Sequence, residues 1–471
     1  MKTLPLLLIV GLLFGCASLG PTDPYASAHV RKVSSSGFDA AIQAPGIPKN
    51  PLTLEQAIET ALANNPDVAA RGWDASAALA RRDQAFGARL PRVGILGGYT
   101  HTLDEQRLIS ASRDGDSGLF GRDIVSSDLV VSLPLFTGGR LVNQVQAADL
   151  LGQSAEQRLA RSREELVFNV SSVFNGILAQ GHVIESLEFS RKILTEHITR
   201  VDALIAAQKA AKVDRLRTEV RLADIEQQLV REKNTQSIQR RTLANLLGFR
   251  GLEEELSLQG DLTMRGKIPL PELETALSTA WESREDFQAA RSSLEAQAKN
   301  VDVARSGHLP TLSVQGAYGG RWAAGPTTGT GDEQGDVGSL GLILEVPIFE
   351  GGQVDANIRE QKADLAAAQE RLRLLQLQVG LEVETALSNV ESSNERAAAI
   401  RKSLAEAKES LRIEQLKYNL GKGVIVDVLD AQAALLQSET SYYRILAEYH
   451  TAVAQLKLAM GMEWIKELSG L

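Results

Sequence analysis

Hydrophobic and polar positions fall into three patterns along this chain. The first is one apolar run, residues 4–16 (LPLLLIVGLLFGC), preceded by Lys2. It is too short to cross a bilayer as a helix but fits the core of a secretory signal. The second is alternation with period two. In Leu312, Val314, Gly316 and Tyr318 small or apolar side chains face one way, opposed by Thr311, Ser313, Gln315 and Ala317; Leu340, Leu342, Leu344 and Val346 alternate with Gly341, Ile343 and Glu345. Such runs predict β-strands, here at residues 92–102, 127–136, 311–320 and 339–349. The third is a seven-residue repeat, Val145, Gly152, Leu159, Leu166, Val173, mirrored by Ile358, Leu365, Leu372, Val379, Ala386. Neither 140–208 nor 354–420 contains a proline. This predicts two helices of ~70 residues and ~105 Å, packed side by side with neighbours along their length.

The patterns recur because the chain is duplicated. Leu54, Glu55, Ala57, Ile58, Ala61, Asp67, Leu90, Pro91 and Tyr99 match Leu273, Glu274, Ala276, Leu277, Ala280, Asp286, Leu309, Pro310 and Tyr318, all 219 positions on. From LVVSLPLFTGGRL (129–141) and LILEVPIFEGGQV (342–354) the offset becomes 213 and holds to Gly248 and Gly461. The length change is confined to 100–128 against 319–341, which marks an exposed loop in each half. Each half reads as helix, strand, loop, strand, long helix, shorter helix. The half-length helices 52–88 and 212–248, laid end to end, equal one long helix. Alternation alone leaves two readings open, a hairpin resting on a soluble core and a transmembrane pair. If the strands cross a membrane, four cannot close a barrel, because open edges in lipid leave backbone groups unpaired; several copies must then contribute.

Composition narrows the function classes. With 50 basic against 59 acidic residues and a net charge of -9, the chain lacks the cationic excess of a nucleic-acid binder. A single cysteine excludes an intrachain disulfide framework and a cysteine-rich zinc site. That residue, Cys16, closes the apolar run as Leu-Phe-Gly-Cys and resembles a bacterial lipobox, where the cysteine is lipidated and becomes the mature N-terminus. A buried ordinary cysteine is the alternative.

The most specific segment is Tyr418-Asn419-Leu420-Gly421-Lys422-Gly423-Val424-Ile425-Val426-Asp427-Val428-Leu429-Asp430-Ala431. With Leu-Pro at 90–91 and 309–310, and Pro-x-Phe-x-Gly-Gly at 134–139 and 347–352, it resembles the TolC family of outer-membrane efflux proteins, over nearly all of 52–462. The resemblance implies a mainly α fold with a transmembrane β-barrel portion: a homotrimer with a 12-stranded β-barrel in the outer membrane, continued by a 12-helix α-barrel through the periplasm. It implies an exit duct for tripartite efflux or type I secretion, no cofactor and no enzymatic chemistry. The implied partners are a periplasmic adaptor (membrane fusion) protein, an inner-membrane transporter of RND, ABC or MFS type, and outer-membrane lipid, with no nucleic acid. The domains expected are a signal peptide (1–15), a lipidated arm (16–51), a first repeat (52–248), a connector (249–270), a second repeat (271–462) and a tail (463–471).

The same resemblance assigns roles at the far ends of the long helices. Asp427 and Asp430 match aspartates of the periplasmic aperture; their i, i+3 spacing puts both on one helix face. Asp214 and Tyr418 match a latch on the closed mouth, although Gly423 stands where the best-known member has an arginine. Lys212, Val213, Leu420, Gly421 and Lys422, with Ala211, match tips that meet the adaptor. The histidines are scattered and form no metal spacing. The acidic glycine run 329–336 reads as a loop tip between strands. A second class stays open, a lipid-tethered periplasmic coiled-coil scaffold without channel activity.

Overall fold

The computed structural model describes residues 51–107, 120–208, 211–249, 256–263, 269–323 and 334–462. Cys16, the signal segment and arm, the loop tips 108–119 and 324–333, and the C-terminal tail lie outside the described residues. The first repeat comprises α1 (Leu54–Asn64), α2 (Pro66–Gly87), β1 (Arg92–Arg107), β2 (Phe120–Thr137), α3 (Arg140–Ala206) and α4 (Lys212–Leu246). The second comprises α5 (Leu273–Ser283), α6 (Glu285–Arg305), β3 (Thr311–Ala323), β4 (Gln334–Glu345), α7 (Gln353–Asn419) and α8 (Ile425–Met460). The strands run further toward the loop tips than alternation predicts, whereas β4 ends at Glu345, short of the expected 349, just before Pro347, which has no N–H to donate to a ladder.

Local chemistry sets the boundaries. The pair Gly138-Gly139, and again Gly351-Gly352, lies in the left-handed region, with φ of 63, 84, 63 and 79°. Two successive positive φ values turn the chain from strand into helix, and glycine adopts them without steric cost; this is the structural content of the Pro-x-Phe-x-Gly-Gly signature. Thr53 opens α1 with a capping box against Gln56. The stretch expected as one helix over 52–88 is broken at Asn65, where ψ is 124° and the side chain caps Asp67 and Val68. Pro66 enforces the break: it restricts the residue before it to extended backbone and suits the first position of a new helix. Arg284 marks the same break between α5 and α6, with ψ 120°, but its side chain does not cap α6.

The four strands form one antiparallel sheet in the order β1-β2-β3-β4. Registers reproduce the duplication: Arg92 faces Ser132 in the first hairpin, and Thr311 faces Glu345 in the second. The helices nearest the sheet keep the same lateral order, α2 on α3, α3 on α6, α6 on α7. Toward the far end α4 packs on α3, α3 on α8 and α8 on α7. α3 and α7 are each 67 residues, or ~100 Å. α7 is buried along one seam, Val379, Val383, Ala386, Val390, Ser393 and Ala397, whose alternating four- and three-residue steps are those of a coiled coil. α3 is central and buried on several sides. Its lower half joins α4 and α8 in a core of Val183, Leu187, Leu194, Ile225, Leu229, Val428 and Leu429. The connector contributes a strap in which Leu52 bridges Leu258, while Leu256 and Leu262 are buried. No helix among the described residues is long and apolar enough to cross a membrane.

Candidate functional site

Register assigns every strand residue to one of two faces. One face carries Val93, Ile95 and Tyr99 on β1, Val125, Leu129, Val131 and Leu133 on β2, Leu312, Val314, Tyr318 and Trp322 on β3, and Leu340, Leu342 and Leu344 on β4. Leu340 is 82% exposed and Ile95 68%. Isolated exposed leucines need no explanation, but a contiguous apolar face across four strands does. From Leu312 to Trp322 it runs ~33 Å along the strand, or ~25 Å in height at the ~40° tilt of membrane barrels, which is the height of their apolar band. Tyr99 and Trp322 lie level with each other toward the loop end and Phe136 lies at the helix end, paired with Leu312, so aromatic residues stand toward both limits of the apolar face, as the girdles of a membrane barrel do. Charge on this face begins at the loop end: Asp123 accepts from Tyr99 Oη at 2.5 Å and lies 2.6 Å from His101 Nδ1. The opposite face carries Thr100, Ser126, Asp128, Ser132, Thr311, Ser313, Gln315, Arg321 and Ser339, interrupted by Leu96, Val130 and Ile343.

At the far end the helices turn back. α7 closes with Lys422 N–H donating to Lys417 O at 2.9 Å and Gly421 N–H to Tyr418 O at 3.0 Å, with Gly421 in the left-handed region (φ 69°), a Schellman-type stop. Gly423 packs close under α7: a Cβ there would lie 3.1 Å from Lys417 Cβ. Tyr418 is half-buried against the α3/α4/α8 core. Burial pushes its hydroxyl pKa up, and the nearby negative charge of Asp214 adds to the rise. Asp214 sits in the first turn of α4, near Tyr418 without a hydrogen bond between them among the described residues. Asp427 and Asp430 are exposed on α8, and Arg221 of α4 stands 3.8 Å from Asp430. Lys212, Val213, Leu420, Gly421 and Lys422 are exposed on the two turns.

Several polar residues of this end carry no motif. His197 on α3 is buried against the edge of the Tyr418 ring, 6.3 Å between centroids, and its Nδ1 has no partner. Burial, helped by the charge of Arg200, lowers its pKa. Arg200 donates to Asn419 Oδ1 at 3.1 Å, tying α3 to α7, and Arg215 pairs with Asp202 at 2.8 Å, tying α4 to α3. His197, Arg200, Gln415 and Tyr418 line a cleft of about 240 Å³. Sequence spacing gave no access to these contacts because each joins residues of different helices. Among the described residues no cluster of His, Cys, Asp and Glu could hold a metal ion.

An antiparallel sheet with one face of membrane height, prolonged strand for column by helices of ~100 Å, defines a class of envelope channel protein. The family model for outer membrane efflux proteins matches residues 57–249 and 276–462, so the chain belongs to that family. It is similar to the outer membrane protein TolC of Escherichia coli, 23% identical over 92% of this chain and 85% of the relative. It is also similar to the cobalt-zinc-cadmium resistance protein CzcC of Cupriavidus metallidurans, 23% identical over 87% of this chain and 90% of that protein. The solved outer-membrane channel OprN superposes with a TM-score of 0.71 at 23% identity, over 87% of this chain and 90% of that one. The fold is therefore that of the TolC-like channels, and the relatives are channel proteins.

Proposed function

We propose that three copies of this chain form an outer-membrane channel, the exit duct of a tripartite efflux pump or type I secretion system. The observation that carries this reading is the sheet. Its apolar face suits lipid, its polar face suits water, and the outer edges of β1 and β4 have no strand partner among the described residues. Both edges of the helical layer are apolar as well, with Leu374, Leu377 and Leu381 exposed on α7 and Leu216, Val220 and Val230 exposed on α4. Joining the β4/α7 edge of one copy to the β1/α2/α4 edge of the next is a head-to-tail contact, which closes into a ring. With three copies the ring holds twelve strands and twelve helical columns. The polar sheet face then lines the lumen.

In this assembly Asp427 and Asp430 belong to the periplasmic aperture, and Asp214 and Tyr418 to its latch. Arg200, His197 and Arg215 brace the same turns. The tips Lys212, Val213, Leu420, Gly421 and Lys422 meet a periplasmic adaptor, which hands over cargo from an inner-membrane transporter of RND, ABC or MFS type. Cys16 is the site of lipid attachment, adding an acyl anchor to the barrel.

Membranes extracted with carbonate should retain the protein in the outer-membrane fraction, and in mild detergent it should run as a trimer. In planar bilayers the purified trimer should conduct. Replacing Asp427 and Asp430 by alanine should raise conductance or weaken cation preference. A soluble monomer after removal of the acyl chains would instead indicate a tethered scaffold.

A further inference from the structure

Among the described residues, the polar face of the sheet holds one close ion pair. Arg321 on β3 donates through Nη1 to Asp128 Oδ1 on β2 at 2.6 Å, and through the same nitrogen to Gly320 O at 3.2 Å. The two partners are not equivalent. Asp128 is pressed against the sheet, its side chain 12% exposed, over Gly319, where any added Cβ would collide with the Ser127 carbonyl and with Asp128 itself. Glycine is the residue that permits this approach. Arg321 is more accessible, at 26%, and its Nε and Nη2 donors have no partner among the described residues. A guanidinium carries five N–H groups in a planar fork suited to carboxylate, sulfonate and phosphate. Here a fixed carboxylate and a backbone carbonyl take Nη1, while Nε and Nη2 have no partner among the described residues.

Position adds to the argument. The pair joins the two central strands, so a neighbouring copy at either sheet edge does not cover it. It also breaks the duplication: Thr102 and Gly341 stand at the related positions, and each chain therefore supplies one pair.

We propose that Arg321, oriented by Asp128, is an anion-contact site on the inner wall of the barrel, for solutes bearing a carboxylate, sulfonate or phosphate. This rests on the duct reading above, which places three copies of the pair around one lumen. Asp128 cancels the long-range charge of Arg321, so cations still pass, while the unengaged donors offer anions short-range hydrogen bonds.

Reversal potentials of the purified trimer in planar bilayers under a KCl gradient test the site with chloride as the probe. Arg321→Gln should shift permeability severalfold toward potassium, and Asp128→Asn severalfold toward chloride. The double variant, which keeps the net charge but loses the guanidinium donors, should fall below the parent in chloride permeability; equality with the parent would reduce the pair to a charge-neutral clip and overturn the proposal. Arg321→Lys, which retains the charge, should shift much less than Arg321→Gln and guards against a folding artefact. If parent and variants conduct with the same reversal potential, the pair is only a clip between strands and the proposal is overturned. If the parent does not conduct at all, the duct reading fails first.

Discussion

The chain splices a half-length helix onto its neighbour twice, and the two splices use different chemistry. In the first repeat, α4 ends against the break between α1 and α2. Asn65 Nδ2 donates to Leu246 O at 3.0 Å while Asn65 Oδ1 caps α2. In the second, α8 ends against the break between α5 and α6, and Arg284 donates to Ala459 O at 3.2 Å. These residues correspond under the two offsets of the duplication, as do Gly248 and Gly461, which carry φ of 81 and 68° at the splice. A side chain on either glycine would meet backbone of the facing break: Asn64 O at 2.5 Å for Gly248, Arg284 N at 2.8 Å for Gly461. The geometry has been kept while the polar link changed from a neutral amide to a charged network.

That network is extensive. Arg284 is 1% exposed and holds Asp286 at 2.7 Å and Glu382 at 2.6 Å. Arg161 of α3 donates to Leu458 O at 2.9 Å and approaches Asp286 at 3.8 Å. Two guanidinium groups thus sit at the C-terminus of α8, where the carbonyl ends carry partial negative charge. Burial works against the charge of Asp286, but the hydrogen bonds of Arg284 and the charge of Arg161 outweigh it and hold its pKa low. Glu164 goes the other way. Burial lifts it to about 7 despite Arg161 at 3.2 Å, and Glu285 and Asp286 add to the rise. The comparison teaches that an amide is sufficient for the splice, while the charged version also ties in α3 and α7 and brings a pH dependence.

Arg284→Met should have the largest effect, about 3–5 kcal/mol of lost stability, since removing one member of a buried ion pair leaves its partners uncompensated. Thermal unfolding of the detergent-solubilised protein, followed by helical circular dichroism, measures it; a loss no greater than that of Asn65→Ala would erase the distinction between the splices. Next come Gly248→Ala and Gly461→Ala, each costing at least about 1–2 kcal/mol for left-handed backbone. Similar losses at both sites would show that the geometry is shared. Asn65→Ala should cost about 1 kcal/mol, the usual value of a lost N-cap.

Glu164→Gln should show its effect only in pH dependence, with none near pH 4.5. With its folded pKa raised from 4.5 to about 7, the folded protein keeps a proton that the unfolded chain has released between those values. Stability therefore falls as pH rises across that window and stays reduced above it. The glutamine variant should lack this fall, matching the parent near pH 4.5 and exceeding it at pH 8. Parallel stability profiles would remove Glu164 as the source.

Much of this was legible in the sequence, and the remainder has a common cause. Alternation in Leu312–Tyr318 and Leu340–Leu344 reported a face, and the register puts both runs on the same one. The heptad positions Val379 and Ala386 lie on the buried seam of α7. The offsets matched Asp67 to Asp286, yet nothing in them marks Asn65 and Arg284, because a helix break and its long-range acceptor are properties of three segments meeting. His197 was one histidine among several until the fold brought Tyr418 beside it. Likewise α3 and α7 look alike in sequence, and their unequal burial follows from lateral order alone. The expected continuity of 52–88 missed the consequence of Pro66 for the residue before it.

Because every strand is prolonged by its own column, in the same sideways sequence, membrane section and stem of such a pipe share one gauge. Neither bore can be altered alone. A hairpin added to the sheet brings two more columns with it, so the calibre changes in steps of whole duplicated units, and a stem of fixed width also fixes the largest cargo the rim can release.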